Sequence, residues 1–275
     1  MPEFECHPWN EDFEWQDQVG SPGLLTEDQV RHYDSEGFVV VQDVFTAADL
    51  DPVVDELDAR VAVVDELLAA IEGGRFSIAE QDAITFAPNL VRDAPVLAEF
   101  SRHPVFSGLC ADLLGPDVNL YWDQAVYKKP EKPRRFPWHQ DNGYTYVEPQ
   151  QYLTCWVALT DATTDNGCPQ VAPGLHRQGT LAHRWVEPLG WEAFPEPPVD
   201  AVAAPVGAGG IVVFSSLTPH LTGPNLSDSV RKAYTLQYAP AGAHALEGDP
   251  EAAPTRRKVD DQSTQYPVLR GGHAC

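Results

Sequence analysis

The first repeating pattern of apolar and polar positions lies in LLTEDQVRHYDSEG, residues 24–37, and it predicts a helix. Thr26 suits the N-cap position, and Gln29 three residues later completes a capping box. Gly37 can adopt the left-handed conformation that ends a helix. The β-branched run FVVVQDVF, residues 38–45, predicts a strand immediately after that helix.

A longer pattern of the same period covers residues 46–74 and predicts a second helix. Pro52 lies near its start, where proline disturbs a helix least, and Gly73 with Gly74 marks its end. We interpret the apolar stripe as core and assign it no function. Another helix is expected over residues 94–114. The apolar positions of the stripe are Leu50, Val53, Val54, Leu57, Val61, Val64, Leu68 and Ile71.

From residue 118 onward the pattern changes to short β-rich runs separated by Gly, Pro, Asn and Asp. These runs are NLYWDQAVYKK, QQYLTCWVALT, GCPQVAPG, GGIVVFSS and RKAYTLQYAPA. Their lengths and turn signals favour a sandwich or barrel over βαβ units. We therefore predict a mainly-β fold with packed helices in a single domain, 1–275. Its parts are an N-terminal arm (1–24), helical support (25–117), a β-core (118–240) and a tail over the surface (241–275).

Composition narrows the class of protein. The chain has 18 basic and 41 acidic residues, a formal net charge of −23, which argues against nucleic acid and anionic membranes as main partners. Five cysteines without a CxxC pair favour reduced thiols over a disulfide framework or a zinc site. Neither a secretory signal nor an apolar run long enough to span a membrane is visible. We expect a soluble, cytoplasmic protein.

The first candidate for chemistry is the stretch RRFPWHQDNGYTY, residues 134–146. His139 and Asp141 are two apart, so on a strand they would share one face. Alone the pair is a weak signal, since a histidine hydrogen-bonded to a carboxylate at a strand end looks the same. His220 follows the apolar strand GGIVVF and adds a second imidazole. Two imidazoles and one carboxylate suit a non-haem Fe(II) site, with zinc as the rival metal.

Arg231 lies eleven positions after His220, early in the next predicted strand. A hairpin through GPNLSDS could return its guanidinium to the metal. Because a buried guanidinium needs an acidic partner, a bound dicarboxylate is an attractive ligand for it. Thr222 could donate its hydroxyl to the same carboxylate. The competing interpretation is an exposed arginine paired with Asp228.

Taken together these motifs resemble the phytanoyl-CoA dioxygenase-like family of Fe(II)/2-oxoglutarate oxygenases. The resemblance rests on WHQD, DNGCPQVAPGLHR (165–177), GGIVVFSSLTPHLTGPN and the arginine that follows, with a similar helix–strand opening. It runs from residue 24 to 240. One departure is Gly209-Gly210, since the family often has an acidic residue after the glycine. This difference affects a turn and not the predicted metal ligands.

The resemblance implies a double-stranded β-helix, or jelly-roll, with Fe(II), 2-oxoglutarate and O2 as cofactor and cosubstrates. By it His139, Asp141 and His220 are the iron ligands and Arg231 binds the distal carboxylate of 2-oxoglutarate. Thr222 matches a position that tends to carry a hydroxyl. Weaker candidates for the cosubstrate pocket, with ordinary core packing equally open, are Gln124 and Trp156. His176 could reach the rim of the site, while His103, His183 and His244 are interpreted as ordinary histidines.

The expected reaction is hydroxylation of an unactivated C–H bond with release of succinate and CO2. Asp141 favours it over halogenation, for which related enzymes replace the carboxylate, while desaturation and ring formation stay open. Two alternatives are a cupin-type metalloenzyme that does not use oxoglutarate and a catalytically silent jelly-roll binding module. The sequence predicts no oligomeric state.

The expected partner is a small, partly apolar molecule of natural-product or lipid-like character. The predicted pocket residues are Tyr144 and Tyr146 beside the metal motif, Trp185 and Trp191 in an insert at 181–198, and Arg135. Packing of the insert on itself is the competing account. The segment KKPEKPRR, 128–135, which ends in Arg134 and Arg135, would draw in an anionic substrate, unless it is a solvated loop.

Overall fold

The computed structural model describes residues 4–18 and 23–275. Within residues 4–18 and 23–24 the predicted arm has neither helix nor strand, apart from one bridge between Cys6 and Leu181. The rest of the arm lies outside the described residues. The helices are, in chain order, α1 (Glu27–Glu36), α2 (Ala47–Ala70), α3 (Pro95–Phe100) and α4 (Pro104–Leu113).

Helix α1 begins and ends as its sequence predicts. The Thr26 hydroxyl accepts the Gln29 N–H at 3.2 Å, and the Gln29 side chain accepts the Thr26 N–H at 2.8 Å. Gly37 closes the helix with φ 85°, and its N–H donates to the Tyr33 carbonyl. Both ends are set by short-range hydrogen bonds, which explains why the sequence alone predicts them.

Helix α2 buries most of the predicted stripe. The fully buried positions are Leu50, Val53, Leu57, Val61 and Leu68. Val54 and Val64 are half-buried, and Ile71 is exposed and lies past the helix end. The core interpretation of the stripe is therefore confirmed except at Ile71.

The single helix predicted over 94–114 is wrong. Helices α3 and α4 are separated at Pro104, which lacks a backbone N–H and disfavours helical conformation in the residue before it. His103 caps α4, since its Nδ1 accepts the Val105 N–H at 3.3 Å. His103 thus has a structural role.

The strands of the described residues fall into one large sheet and three small ones. In chain order they are β1 (Phe38–Val41), β2 (Arg75–Phe76), β3 (Ala79–Glu80), β4 (Ile84–Pro88), β5 (Val118–Lys128), β6 (Tyr146–Glu148), β7 (Leu153–Ala158), β8 (Pro169–Val171), β9 (Arg184–Val186), β10 (Gly190–Glu192), β11 (Val202–Ala203), β12 (Ile211–Ser215), β13 (His220–Thr222), β14 (Arg231–Pro240), β15 (His244–Glu247), β16 (Thr255–Lys258), β17 (Pro267–Arg270) and β18 (His273–Ala274).

The large antiparallel sheet has the order β1-β12-β7-β14-β5-β4-β3-β2, with β17 also on β5 and β18 on β17. The sheets β11-β8-β13 and β16-β15-β6 pack across one of its faces, and β9 pairs with β10 as a separate hairpin. Helices α2 to α4 pack on the opposite face. The core is a jelly-roll with packed helices, as predicted.

Alternation along the central strands decides what reaches each face of the large sheet. On β7, Leu153, Cys155 and Val157 join the helix-side core, while Trp156 lies on the other side. β14 follows the same period, so Tyr234 points to the helices. The odd-numbered positions of β14 and the even-numbered positions of β7 therefore face the interior between the β-layers. On β5 the even-numbered positions do so only from Gln124 to Lys128, because a register shift opposite Gln237 and Tyr238 reverses the alternation and turns Val118 and Leu120 toward the helices.

The C-terminal segment is part of the sheets and not only a cover over the surface. β15 pairs with β6, and β17 extends the edge of the large sheet beside β5. All five cysteines are free thiols, as expected. Within the described ranges, no helix is both long and apolar enough to cross a membrane.

Candidate metal and cosubstrate site

His139 and His220 lie opposite each other in a short β-bridge. The His139 N–H donates to the His220 carbonyl at 2.9 Å, and the His220 N–H donates back at 2.8 Å. Asp141 begins a 3₁₀ turn, Asp141–Gly143, so the expectation that the HxD pair lies along one strand is wrong. The bridge and the turn place one ligand atom from each of the three side chains within 4.8 Å of one another.

Neighbouring groups fix the orientation of all three side chains. His139 Nδ1 lies 2.9 Å from the Pro137 carbonyl, and His220 Nδ1 lies 2.9 Å from the Thr218 carbonyl. Both rings therefore carry their proton on Nδ1 and turn Nε2 toward the centre. The Thr154 hydroxyl donates to Asp141 Oδ2 at 2.5 Å, which leaves Oδ1 for the centre. Burial, followed by the His220 imidazole, lowers the pKa of His139 well below its usual value, so its ring is neutral.

Arg231 ends in the interior between the sheets. It is 1% exposed, so the alternative of an exposed arginine paired with Asp228 is wrong. Its Nη1 donates weakly to the Val126 carbonyl at 3.4 Å, whereas Nε and Nη2 have no partner among the described residues. Burial lowers its pKa to about 9. A charged fork with free donors is suited to a carboxylate ligand.

The predicted hairpin between His220 and Arg231 does not form. β13 pairs with β8, while β14 pairs with β5 and β7. The guanidinium nevertheless reaches the interior, because Arg231 faces it by strand alternation and lies opposite Lys128 in the β5 register. The predicted route from His220 to Arg231 is therefore wrong.

A small inner cavity of about 50 Å³ adjoins His139, Asp141 and His220. The predicted cosubstrate residues Gln124, Trp156 and Thr222 all line it. The Arg231 guanidinium lies over the Trp156 ring, 5.0 Å from its centroid. Gln124 and Trp156 thus border the cavity beside His139, Asp141 and His220, and Trp156 is also part of the packed core.

Lys128 also lines the inner cavity, although sequence reasoning placed it only in the basic segment. It is 1% exposed. Its Nζ donates to the carbonyls of Arg134 (3.1 Å), Thr222 (2.7 Å) and Gly223. All three of its N–H groups are thereby used, so Lys128 holds the backbone beside Thr222 and has no donor left for a ligand.

A larger outer cavity of about 330 Å³ adjoins His139 and Asp141. Its lining is largely aromatic and includes the predicted Tyr144, which packs parallel to Phe136 with 6.2 Å between ring centroids. Phe86, Gln124 and Phe136 border both cavities together with His139 and Asp141. The remaining lining residues of the outer cavity are Ile78, Tyr121, Trp122, Thr145, Tyr152, Gln237, Arg257 and Gln265.

Four predicted pocket residues do not line the outer cavity. Tyr146 donates to the Trp9 carbonyl at 2.9 Å and packs on the N-terminal segment. Trp185 and Trp191 lie opposite each other across the β9–β10 hairpin, edge to face and 40% and 38% exposed. These two tryptophans of the insert therefore pack on each other, while Phe194 of the same insert packs on Trp138. Arg135 pairs with Glu192 at 2.8 Å.

The basic segment 128–135 is exposed at residues 131–133, but each of its cations has a partner within the protein. Its cations are held internally: Lys128 by carbonyls, Lys129 by Asp65, Lys132 and Arg134 by Glu80, and Arg135 by Glu192. A charge already paired contributes little to an external field. The steering hypothesis therefore loses its basis.

Several site residues escaped sequence reasoning because only tertiary packing brings them in. Thr154, Lys128 and Phe86 are ordinary strand residues, and alternation was the signal that could have placed the first two. Arg257 and Gln265 come from the tail. His183, interpreted as ordinary, accepts the Gln140 N–H between the two HxD ligands at 2.9 Å.

His176 does not reach the rim of the site. It is fully buried, its Nε2 lies 3.1 Å from the Asp34 carbonyl, and its ring packs against Trp15 with 4.4 Å between centroids. It ties the described N-terminal segment to helix α1. His244 begins β15 and is likewise outside the site.

Comparisons with known proteins agree with this geometry. The family model described as "Phytanoyl-CoA dioxygenase (PhyH)" matches residues 33–233. The chain is 24% identical over 269 residues to a phytanoyl-CoA dioxygenase of Arabidopsis thaliana, covering 84% of this chain and 92% of the relative. It is 27% identical over 161 residues to an ectoine dioxygenase of Bordetella bronchiseptica, covering 56% and 50%.

Solved structures show the same fold. The α-ketoglutarate-dependent carbocyclase SnoK from nogalamycin biosynthesis superposes with a TM-score of 0.67 at 23% identity, covering 91% of this chain and all of that one. EctD from S. alaskensis, solved with 2-oxoglutarate and 5-hydroxyectoine, gives 0.66 at 21% identity, covering 88% of this chain and 84% of that one.

Proposed function

Because the chain belongs to the phytanoyl-CoA dioxygenase family of iron- and 2-oxoglutarate-dependent oxygenases, we propose that it hydroxylates an unactivated C–H bond of a small, partly apolar molecule. Succinate and CO2 would be the products formed from 2-oxoglutarate. In this proposal His139, Asp141 and His220 hold Fe(II), and Arg231 holds the distal carboxylate of 2-oxoglutarate.

The residues present fit both groups. Two neutral imidazole nitrogens and one carboxylate oxygen that converge on one point are a donor set typical of non-haem Fe(II). The observation that carries the cosubstrate assignment is the pair of unpartnered buried nitrogens on Arg231. A buried cation without a counter-charge is costly, and an incoming carboxylate removes that cost.

Other side chains would prepare the site before any ligand arrives. Thr154 orients the Asp141 carboxylate, and Lys128 fixes the backbone at Thr222, whose hydroxyl would face the same carboxylate as Arg231. Trp156 would limit the width of the inner cavity. Iron with bound 2-oxoglutarate and O2 supplies an oxidant able to break a C–H bond.

The outer cavity is the proposed substrate site. Its aromatic walls favour a ring-bearing or otherwise apolar body, and Gln237, Arg257 and Gln265 would meet polar substituents. Asp141 occupies the position at which related halogenases lack a carboxylate, which favours hydroxylation. Tyr144 and Phe136 would flank the substrate on the side nearest to His139.

An anaerobic titration of metal-free protein with Fe(II) and then 2-oxoglutarate tests this function. We expect the visible metal-to-ligand charge-transfer band, no band for His220→Ala, and a weak band for Arg231→Ala. His273→Ala, an exposed histidine far along the chain, is the matched control and should behave as wild type. Iron binding without the band would support an oxoglutarate-independent enzyme, and absence of iron binding would support the silent binding module.

A further inference from the structure

The backbone between the two HxD ligands rests on a histidine from another part of the chain. The Gln140 N–H donates to His183 Nε2 at 2.9 Å, and His183 Nδ1 lies 2.9 Å from the Leu181 carbonyl. The Leu181 contact requires a proton on Nδ1, which leaves Nε2 as an acceptor. His183 is therefore a neutral acceptor, and its Nε2 lone pair is not free to bind a metal.

Gly143 gives independent evidence that this ring is fitted to the loop. A Cβ added at Gly143 would overlap three atoms of the His183 imidazole. The φ angle of Gly143 is not positive, so its backbone conformation does not require glycine. The requirement is steric, since the ring of His183 occupies the space where a side chain would be.

The Gln140 side chain ties the same loop to the segment around His220. Its Nε2 donates to the carbonyls of Gly179 (2.9 Å) and Leu217 (2.6 Å), and its Oε1 accepts the Leu181 N–H at 2.6 Å. Gln140 is fully buried. Segment 179–183 thus contacts the backbone and the side chain of the residue that separates His139 from Asp141.

We propose that His183 is a positioning residue for the metal site: its imidazole, packed on Gly143, holds the Gln140 N–H and so sets the spacing of His139 and Asp141. The inference rests on the proposed function, because it assumes that these two residues bind the iron. Outer groups that orient metal ligands typically change metal affinity about 10–100-fold when they are removed.

The decisive experiment compares two replacements of His183. His183→Phe keeps an aromatic ring on Gly143 and removes the acceptor, whereas His183→Gln keeps an acceptor without the ring. We expect the Fe(II) dissociation constant to rise about 10–100-fold in His183→Phe. In His183→Gln it should return most of the way to the wild-type value. Equal affinity for His183→Phe and wild type, with matching thermal unfolding, would overturn the proposal.

A double-mutant cycle tests the steric half of the proposal. Gly143→Ala should displace the ring and weaken Fe(II) binding. In a His183→Ala background the same change should weaken Fe(II) binding little further, because the obstructing ring is gone. Fully additive losses would show that Gly143 acts independently of His183.

Hydrogen exchange of the Gln140 amide in the metal-free protein separates this proposal from the proposed function. We expect protection in wild type and fast exchange in His183→Phe. If wild type binds no iron, the function fails while the amide still reports on the contact with His183. If wild type binds iron and the amide exchanges equally fast in both proteins, only the positioning role fails.

Discussion

Two buried cations lie opposite each other at the ends of β5 and β14, and the protein uses them differently. Lys128 and Arg231 are register partners, and each is 1% exposed. Lys128 donates to three backbone carbonyls, whereas Arg231 keeps Nε and Nη2 without a partner among the described residues. Burial and then the neighbouring Arg231 lower the pKa of Lys128 well below its usual value.

This difference in hydrogen bonding suggests that one cation has a structural role and the other a ligand-binding role. A buried donor that has found its acceptors stabilises the native chain, while one without acceptors costs free energy until a ligand binds. Lys128 belongs to the first kind and Arg231 to the second. Removing each cation should therefore change stability in opposite directions.

The largest expected effect is a loss of stability in Lys128→Met. The change would leave the carbonyls of Arg134 and Gly223 without their donor, whereas the Thr222 carbonyl would still accept the Phe136 N–H at 2.8 Å. Because each unpaired group costs about 1–3 kcal/mol, we expect the free energy of unfolding to fall by about 4 kcal/mol in urea titrations. The neighbouring Lys129→Met is the matched control, since Lys129 makes an ion pair with the partly exposed Asp65. An equal loss in both variants would mean that burial in general, and not the loss of the Lys128 hydrogen bonds, decides the cost.

Arg231→Met should give the next largest effect, on ligand binding. Two charge-assisted hydrogen bonds would be lost, so we expect the KM for 2-oxoglutarate to rise at least about 100-fold. The free energy of unfolding of the ligand-free protein should stay equal or rise, since an uncompensated buried cation is removed. Thermal stabilisation by added 2-oxoglutarate should disappear.

Lys232→Met is the control for this variant, because Lys232 lies on the other face of β14 and binds Asp58 at 2.6 Å. It should leave the KM for 2-oxoglutarate unchanged. A strong loss of stability in ligand-free Arg231→Met would contradict the comparison, because Arg231 would then be a structural cation like Lys128.

Local signals in the sequence predicted what local physics decides. The capping box at Thr26 and Gln29 and the stop at Gly37 involve groups a few residues apart. The convergence of the three candidate metal-binding residues was predictable because the HxD pair lies in one stretch and His220 follows a recognisable strand. The path from His220 to Arg231 was not, since strand pairing depends on contacts distant in sequence.

The substrate side of the site was the least predictable part. Residues near the metal motif in sequence, such as Tyr146 and Arg135, make contacts elsewhere, and the two tryptophans of the insert pack on each other. Phe86 and Arg257, which do line the outer cavity, come from positions far away along the chain. Proximity in sequence is a weak guide wherever separate loops and strands build a cavity.

A third buried charge, Asp123 on β5, should give the smallest of these effects and extends the comparison to an anion. Its Oδ2 accepts the N–H groups of Leu90 (2.9 Å) and Val91 (3.2 Å) and the Tyr234 hydroxyl (2.9 Å). Oδ1 has no partner among the described residues. Burial raises the pKa of Asp123 to about 6, despite these three donors.

Because the pKa of Asp123 is higher in the folded than in the unfolded chain, the folded state binds more protons between about pH 4 and 6. Its contribution to stability is thus fully present below about pH 4 and is lost as the pH rises through about 6. The difference in unfolding free energy between wild type and Asp123→Asn should therefore fall by about 2–3 kcal/mol over this range, as measured by urea titrations at each pH. Tyr234→Phe removes a donor to the carboxylate and should move the upper end of the range to higher pH. The unfolding free energies of wild type and Asp123→Asn could instead run parallel from about pH 4 to 7. In that case the hydrogen bonds of Asp123 compensate its burial as those of Lys128 do, and of the three buried charges only Arg231 lacks such compensation.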